Sequence, residues 1–322
     1  MEIFLGILFG LLGLGLLFYV FPAIAVFLIL FLGTNKPDFD ERDLKGTVYE
    51  PYEELFKENI GFFKKLEMED VYVNAYDGKK LHGRYLDGGF SKTAILIHGY
   101  RSTPYNNFAV LGRFLYEEKG FNLLFVENRA TGGSGGKFVG FGLKEKYDVR
   151  SWARFVAKKP EVSEILIAGV SMGATAIAFT ADRLTDKKIS GVILDCGFQC
   201  PRDQIIHIGD GYKPLPGRIL MPAVELLARV FLRIDIRENT TRHLNRMQVP
   251  ALFIHGEKDE TVPFYEGENA YRECGSGKMR YFVEDADHAM AFYADLEEGK
   301  KAVSRFLENN FDRPRFNDDE EE

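Results

Sequence analysis

The feature that most constrains this chain is an alternation of short apolar runs with helical segments. The runs are Ala94–Ile97, Leu123–Val126, Ile165–Ala168, Val192–Leu194, Ala251–Ile254 and Arg280–Val283. Most are separated by stretches of helical periodicity, such as Asn107–Lys119 and Lys144–Lys158. A strand that is apolar without alternation must be covered on both faces, and parallel neighbours need a crossover between them. The pattern therefore predicts an α/β architecture, a mostly parallel central sheet with helices on both faces. Ahead of it, Val71-Tyr72-Val73, an Asp77-Gly78 turn and Leu81–Leu86 read as an antiparallel hairpin, which makes the sheet mixed. Tyr52–Leu66 carries Leu55, Ile60 and Phe63 at helical spacing and reads as an amphipathic helix leading into the domain.

One interval is too long for a simple crossover. Phe198–Val249 lies between two strands and contains the apolar, helix-like segment Leu220–Leu232, so it is expected to form a small helical cap over the sheet edge. The start of the chain differs in kind. From Ile3 to Gly33 there is no Asp, Glu, Lys or Arg. A bilayer core of about 30 Å needs roughly 20 such residues in a helix. A cleaved signal peptide is the competing reading. It fits less well because Met1-Glu2 lacks a positive n-region and apolar residues run on past Ala23-Ile24-Ala25. The expectation is a transmembrane helix over 1–33, with Pro22 kinking it or ending its spanning part. A polar linker over 34–47, a catalytic domain over 48–312 with a cap at about 198–249, and an acidic, disordered tail over 313–322 should follow. Lys36, Arg42 and Lys45 follow the apolar segment and no basic residue precedes it, which places the catalytic domain on the cytoplasmic side of a single-pass protein.

Composition enters by exclusion. The net charge is −7, and no basic run offers a nucleic-acid surface. Cys196, Cys200 and Cys274 cannot all pair within the chain, and no histidine cluster makes the first two a metal site. They are expected to be packed or surface thiols.

The chemistry centres on Gly169-Val170-Ser171-Met172-Gly173, between the run Ile165–Ala168 and the Ala-rich segment Ala174–Asp182. Small residues flanking a serine let strand and helix approach around a tight turn, which lifts the hydroxyl above the sheet edge at the positive end of a helix. A serine hydroxyl needs a general base. Of the six histidines, His98 and His255 end strands and precede glycine, so they read as turn-shaping. His82 lies in the hairpin, and His207 and His243 lie in the cap. His288 follows the last strand, in a loop that reaches the serine's edge, and is the expected base. A carboxylate must orient that base. Asp259, directly after Ala251–Ile254, is first choice; Asp195, Glu257 and Glu260 are its rivals. The oxyanion of a tetrahedral intermediate needs donors. These are expected from the backbone N–H groups of Met172 and Tyr100. Gly99 would let the backbone approach a substrate, and the Arg101 side chain would bind an anionic substrate group or remain solvated or ion-paired.

His98-Gly99-Tyr100, Gly169–Gly173, His255-Gly256-x-x-Asp259-x-x-Val262-Pro263 and Asp287-His288-Ala289 stand in an order that resembles the α/β-hydrolase superfamily over Val71–Asn310. The chain is most similar to the bacterial membrane-anchored branch related to serine aminopeptidase-like and acyl-protein-thioesterase-like hydrolases. The resemblance implies the α/β-hydrolase fold and a two-step acyl transfer through an acyl-Ser171 intermediate, with no metal or organic cofactor. The expected partners are a small-molecule or lipid-like acyl substrate and, through the N-terminal helix, a membrane. A peptidase or amidase, and a non-catalytic scaffold, are the alternative readings. One departure is Glu127-Asn128-Arg129-Ala130-Thr131-Gly132-Gly133-Ser134, where many relatives carry Asp-x-Arg-Gly-x-Gly-x-Ser; that segment is expected to be structural.

Overall fold

The computed structural model describes residues 2–34, 38–211 and 217–312, with side chains apart from those of 2, 8–12, 14 and 217. The acidic tail expected over 313–322 lies outside the described residues. A long helix α1 (Glu2–Phe31) comes first, then α2 (Glu53–Lys64) and a hairpin of β1 (Glu69–Asn74) and β2 (Lys80–Leu86). The alternating part runs β3 (Lys92–Ile97), α3 (Pro104–Glu117), β4 (Phe121–Val126), α4 (Glu145–Ala157), β5 (Glu164–Val170), α5 (Met172–Ala178) and β6 (Ile189–Asp195). The cap supplies α6 (Pro201–Gly211), α7 (Gly217–Leu227) and α8 (Thr241–Asn245). The chain then returns through β7 (Ala251–Gly256), α9 (Phe264–Glu273), β8 (Lys278–Val283), α10 (Ala291–Ala294) and α11 (Leu296–Asn310).

The strands form one eight-stranded sheet in the order β1-β2-β4-β3-β5-β6-β7-β8. Strand β2 pairs antiparallel with β1 and β4, and every pairing from β4 to β8 is parallel. Period two along each strand separates two cores. Ala94, Leu96, Leu123, Phe125, Leu166 and Ala168 face one side, against Phe108 and Phe306. Ile95, Ile97, Leu124, Val126, Ile165 and Ile167 face the other, against Trp152 and Ile177. Full burial of each leucine, isoleucine, valine or phenylalanine among them is worth about 1.5–3 kcal/mol. Local chemistry sets the helix ends. Thr103 caps α3 by accepting from the Asn106 N–H, with Pro104 in the first turn. Asp295 accepts from the Glu298 N–H and so starts α11 directly after α10.

The N-terminal expectations need revision. Helix α1 runs through Pro22 without ending there, and its C-terminal part lies on the domain. Ala23, Phe27 and Phe31, spaced one turn apart, are buried. Phe31 meets Phe141 at a ring distance of 5.3 Å, and the Tyr19 hydroxyl donates to the Ile219 carbonyl at 2.9 Å. Among the described residues no helix is long and apolar enough to cross a membrane. The described part of the expected linker is not a free tether either. Phe39 and Leu44 are buried beside Phe56, because two large apolar groups in a nominally polar stretch find the core within reach.

The departure segment after β4 is structural, as expected. Arg129 is buried and donates to Asp148 at 2.7 and 2.6 Å and to Asp77 at 3.1 Å, which fixes the β4 exit against α4 and the hairpin turn. Removing one partner of such a pair leaves a buried charge uncompensated. Arg129→Met is therefore expected to cost about 3–5 kcal/mol of unfolding free energy, measured by denaturant titration.

Candidate active site

The C-terminal ends of β3, β5, β6 and β7 lie side by side: Ile97 pairs with Gly169, Val170 with Asp195, and Asp195 with Ile254. At the β5 end the backbone reverses into α5 through Ser171, whose φ of 54° and ψ of −118° are unfavourable for a residue with a Cβ. The turn persists because its surroundings fix it. The Ser171 N–H donates to the Asp195 carbonyl at 2.8 Å, and the Ser171 carbonyl accepts from Thr175 at 2.9 Å. A Cβ on Gly169 would lie 2.5 Å from the Gly173 carbonyl carbon, and one on Gly173 would strike the Ile97 carbonyl oxygen. Glycine is obligatory at both positions. Met172 opens α5, and the first N–H groups of a helix have no intrahelical acceptor.

His288 and Asp259 meet, as expected from the sequence. His288 Nδ1 lies 2.7 Å from Asp259 Oδ2. Asp259 is buried, and its Oδ1 accepts from the N–H groups of Thr261 and Val262 at 2.9 and 2.7 Å. Burial pushes its pKa up, but hydrogen bonds from His255 and His288 outweigh that and hold it at about 2. The rival Asp195 makes no hydrogen bond to His288. Its Oδ1 is buried without a partner, and burial pushes its pKa up to about 7, against the attraction of His255 and His288. Cys196 Sγ lies 3.9 Å from His288 Nε2. The Ser171 hydroxyl itself makes no hydrogen bond among the described residues; catalytic hydrogen bonds commonly tighten only when substrate is bound.

The loop after β3 packs directly on Ser171. A Cβ on Gly99 would sit 3.3 Å from Ser171 Cβ, so the backbone of this loop approaches the serine closely. His98 holds this loop from beneath. Its Nδ1 donates to the Gly99 carbonyl at 2.7 Å, and its Nε2 accepts from the Asn128 N–H at 3.1 Å. That tautomer is neutral, and burial pulls the His98 pKa down to about 4. Asn107 Oδ1 accepts the Gly99 N–H at 2.8 Å. The Arg101 side chain is turned away from the role expected for it. Its guanidinium donates to the carbonyl of Ile29 in α1, not to an open substrate cleft.

Sequence reasoning missed Asn107, Asn128 and the second role of His255. His255 Nε2 lies 3.3 Å from Asp259 Oδ2, so two histidines share one carboxylate. The i,i+4 spacing of His255 and Asp259 was the available signal. The cap also grips the acid loop: Gln204 donates to the Thr261 carbonyl at 2.7 Å, and His207 Nε2 lies 2.9 Å from the Glu260 carbonyl. All three cysteines are buried and unpaired. Two donor groups are close enough to hold a metal ion among the described residues. One is Cys196, Asp259 and His288, in which the latter two already bond to each other. The other is Asp38, Asp40 and Glu41, gathered around Lys64 Nζ at 3.4, 3.0 and 2.7 Å.

No protein-family model matches the chain. The chain is 28% identical over 289 residues to "Uncharacterized protein YqkD" of Bacillus subtilis, spanning 88% of this chain and 90% of that one. It is 29% identical over 174 residues to "Protein bem46" of Schizosaccharomyces pombe, about half of each chain at 53% and 52%. Among solved structures, the esterase Pf2001 of Pyrococcus furiosus superposes with a TM-score of 0.61 at 25% identity, covering 76% of this chain and 93% of that one. With the sheet order and the strand-to-helix turn, these relations give the chain the α/β-hydrolase fold. None of them supports the membrane-anchored branch as such.

The two acids on this edge should move stability with pH in opposite directions. Asp259, held low, contributes stability above about pH 4 that is lost as the pH falls toward its folded pKa of about 2. Asp195, held high, contributes stability at low pH that is lost between about pH 4 and its folded pKa of about 7. Melting temperatures across this range are therefore expected to show Asp195→Asn gaining on the wild type up to about pH 7. Asp259→Asn should fall below the wild type above about pH 4.

Proposed function

We propose that this protein is a serine-dependent hydrolase of carboxylic esters or thioesters. The carrying observation is the Asp259–His288 hydrogen bond of 2.7 Å on the edge where Ser171 is lifted out of the sheet. In this reading Ser171 Oγ attacks the substrate carbonyl carbon while His288 Nε2 takes its proton. Asp259 stabilises the imidazolium, and the backbone N–H groups of Met172 and Tyr100 receive the oxyanion. Collapse breaks the bond to the leaving group, which takes the proton from His288 and leaves an acyl-Ser171. Water, deprotonated by His288, then attacks the acyl carbon and frees the acid and Ser171. Every step uses side chains and backbone groups of this chain. An esterase among its structural neighbours supports the ester class. The same machinery cleaves amides, and a peptidase or amidase is the second reading; a panel of aryl esters against aminoacyl amides separates the two.

The acyl substrate is proposed to be amphiphilic or membrane-proximal, and α1 to hold the protein to a membrane with the hydrolase domain on the cytoplasmic side. Supporting this, α1 exposes Ile3 at 82%, Phe4 at 72% and Phe18 at 74%. The adjoining cap exposes Val230 and Phe231 at 60% and 68%. Large apolar side chains exposed in this way are costly in water.

Two outcomes are expected. Ser171→Ala abolishes both aryl-ester hydrolysis and labelling by a fluorophosphonate; persistent labelling of that variant would sink the assignment. The full-length protein stays in the membrane fraction after an alkaline carbonate wash, and its release into the supernatant would remove the membrane from the account.

A further inference from the structure

The end of α1 and the loop after β3 are bound to each other through their polar groups. A helix leaves its last four carbonyls without intrahelical donors. In α1 each of them has a partner. Leu28 O accepts from Leu32 N at 3.0 Å, and Phe31 O accepts from Val139 N at 2.8 Å. Leu30 O accepts from the Tyr100 hydroxyl at 2.7 Å, and Ile29 O accepts from the Arg101 guanidinium. Helix α1 has no basic residue in its own last turn, so Arg101 supplies the cation that favours the negative end of a helix. Tyr100 is fixed further by Phe141, at a ring distance of 4.9 Å, and by the Arg101 guanidinium carbon 4.9 Å from its ring centroid.

This contact falls on the segment that needs outside support. Arg101 has a φ of 53°, a left-handed conformation that an arginine adopts only when its surroundings fix it. Gly99, two residues earlier, lies against Ser171. The approach is close on the α1 side as well. Gly33 N donates to Lys137 O at 2.9 Å, and a Cβ on Gly33 would overlap the Ala130 carbonyl oxygen.

We propose that the C-terminal turn of α1 is a working part of the catalytic centre: through Tyr100 Oη and the Arg101 guanidinium it positions the loop that offers the Tyr100 N–H to the oxyanion. Tyr100 and Arg101 thus act with their side chains as positioning residues. This inference rests on the serine-hydrolase reading. It makes α1 more than a tether, since any force that shifts its last turn moves an oxyanion donor relative to Ser171. The loss is confined to the transition state, because the donor matters most when negative charge has developed on the substrate oxygen.

The test uses the full-length protein with a short aryl ester, measuring kcat, KM and melting temperature together. Tyr100→Phe and Arg101→Ala are each expected to lower kcat about tenfold, with KM within about twofold and the melting temperature unmoved. Arg101→Lys should recover much of the loss. Gly33→Ala, remote from the chemistry, should lower kcat in the same way, and Glu54→Ala, on the exposed side of α2, should leave it unchanged. Unchanged kcat in Arg101→Ala and Gly33→Ala would overturn the proposal while leaving Ser171 as nucleophile. Equal rises in KM, or losses that follow melting temperature with no rescue by Arg101→Lys, would also overturn it. A wild type that neither hydrolyses the ester nor takes the fluorophosphonate overturns the serine-hydrolase reading beneath it.

Discussion

The structure depends on one tight contact: the passage of Gly173 over the Ile97 carbonyl, where α5 crosses the end of β3. No side chain fits there, so the strand can reverse into the helix within a single residue. That residue, Ser171, takes the strain. Its unfavourable φ is held by a backbone hydrogen bond to the Asp195 carbonyl and by the helix that starts at Met172. The contact also sets the register of the site. Once β3 and β5 are locked at Ile97 and Gly169, the loops after β3, β5, β6 and β7 share one edge. The acid loop and His288 then need only short excursions to reach it.

Electrostatics on this edge is divided between two carboxylates that the sheet brings near one another. Asp259 has two backbone donors and two histidines, and it stays ionised despite burial. Asp195 is equally buried, has an orphan oxygen, and is pushed toward neutrality. Below its pKa of about 7, Asp195 therefore leaves Asp259 as the main negative charge facing the pair of histidines.

The sheet and its order of chemistry were legible in the sequence because both follow from local rules. Buried parallel strands appear as unbroken apolar runs, and a crowded turn admits only glycine beside its serine. His288 and Asp259 could be located because each follows a strand, and strand ends determine which edge a loop occupies. What could not be read depends on contacts between distant segments. The Asn107 and Asn128 clamps on the loop after β3 are single polar side chains with no periodic signature. The destination of Arg101 could not be inferred because its partners are backbone carbonyls about seventy residues earlier. The expected linker misled for a related reason: its charges mark exposure, but Phe39 and Leu44 between them decide where the segment lies.

Helix α1, the cap and the loop after β4 form one apolar assembly, in which Phe27, Phe31, Phe141, Met172 and Val224 are buried together and Tyr100, from the loop after β3, packs against them. The cap in turn bonds to the Asp259 loop through Gln204 and His207. Helix α1 and the cap are thus joined to the loop that carries Asp259. The most direct test of the central claim is peptide mapping by mass spectrometry after acid quenching during turnover of an aryl acetate. An acetyl group is expected on the hydroxyl of Ser171. An acetyl group on Cys196 instead, or turnover with no acylated residue at all, would contradict it.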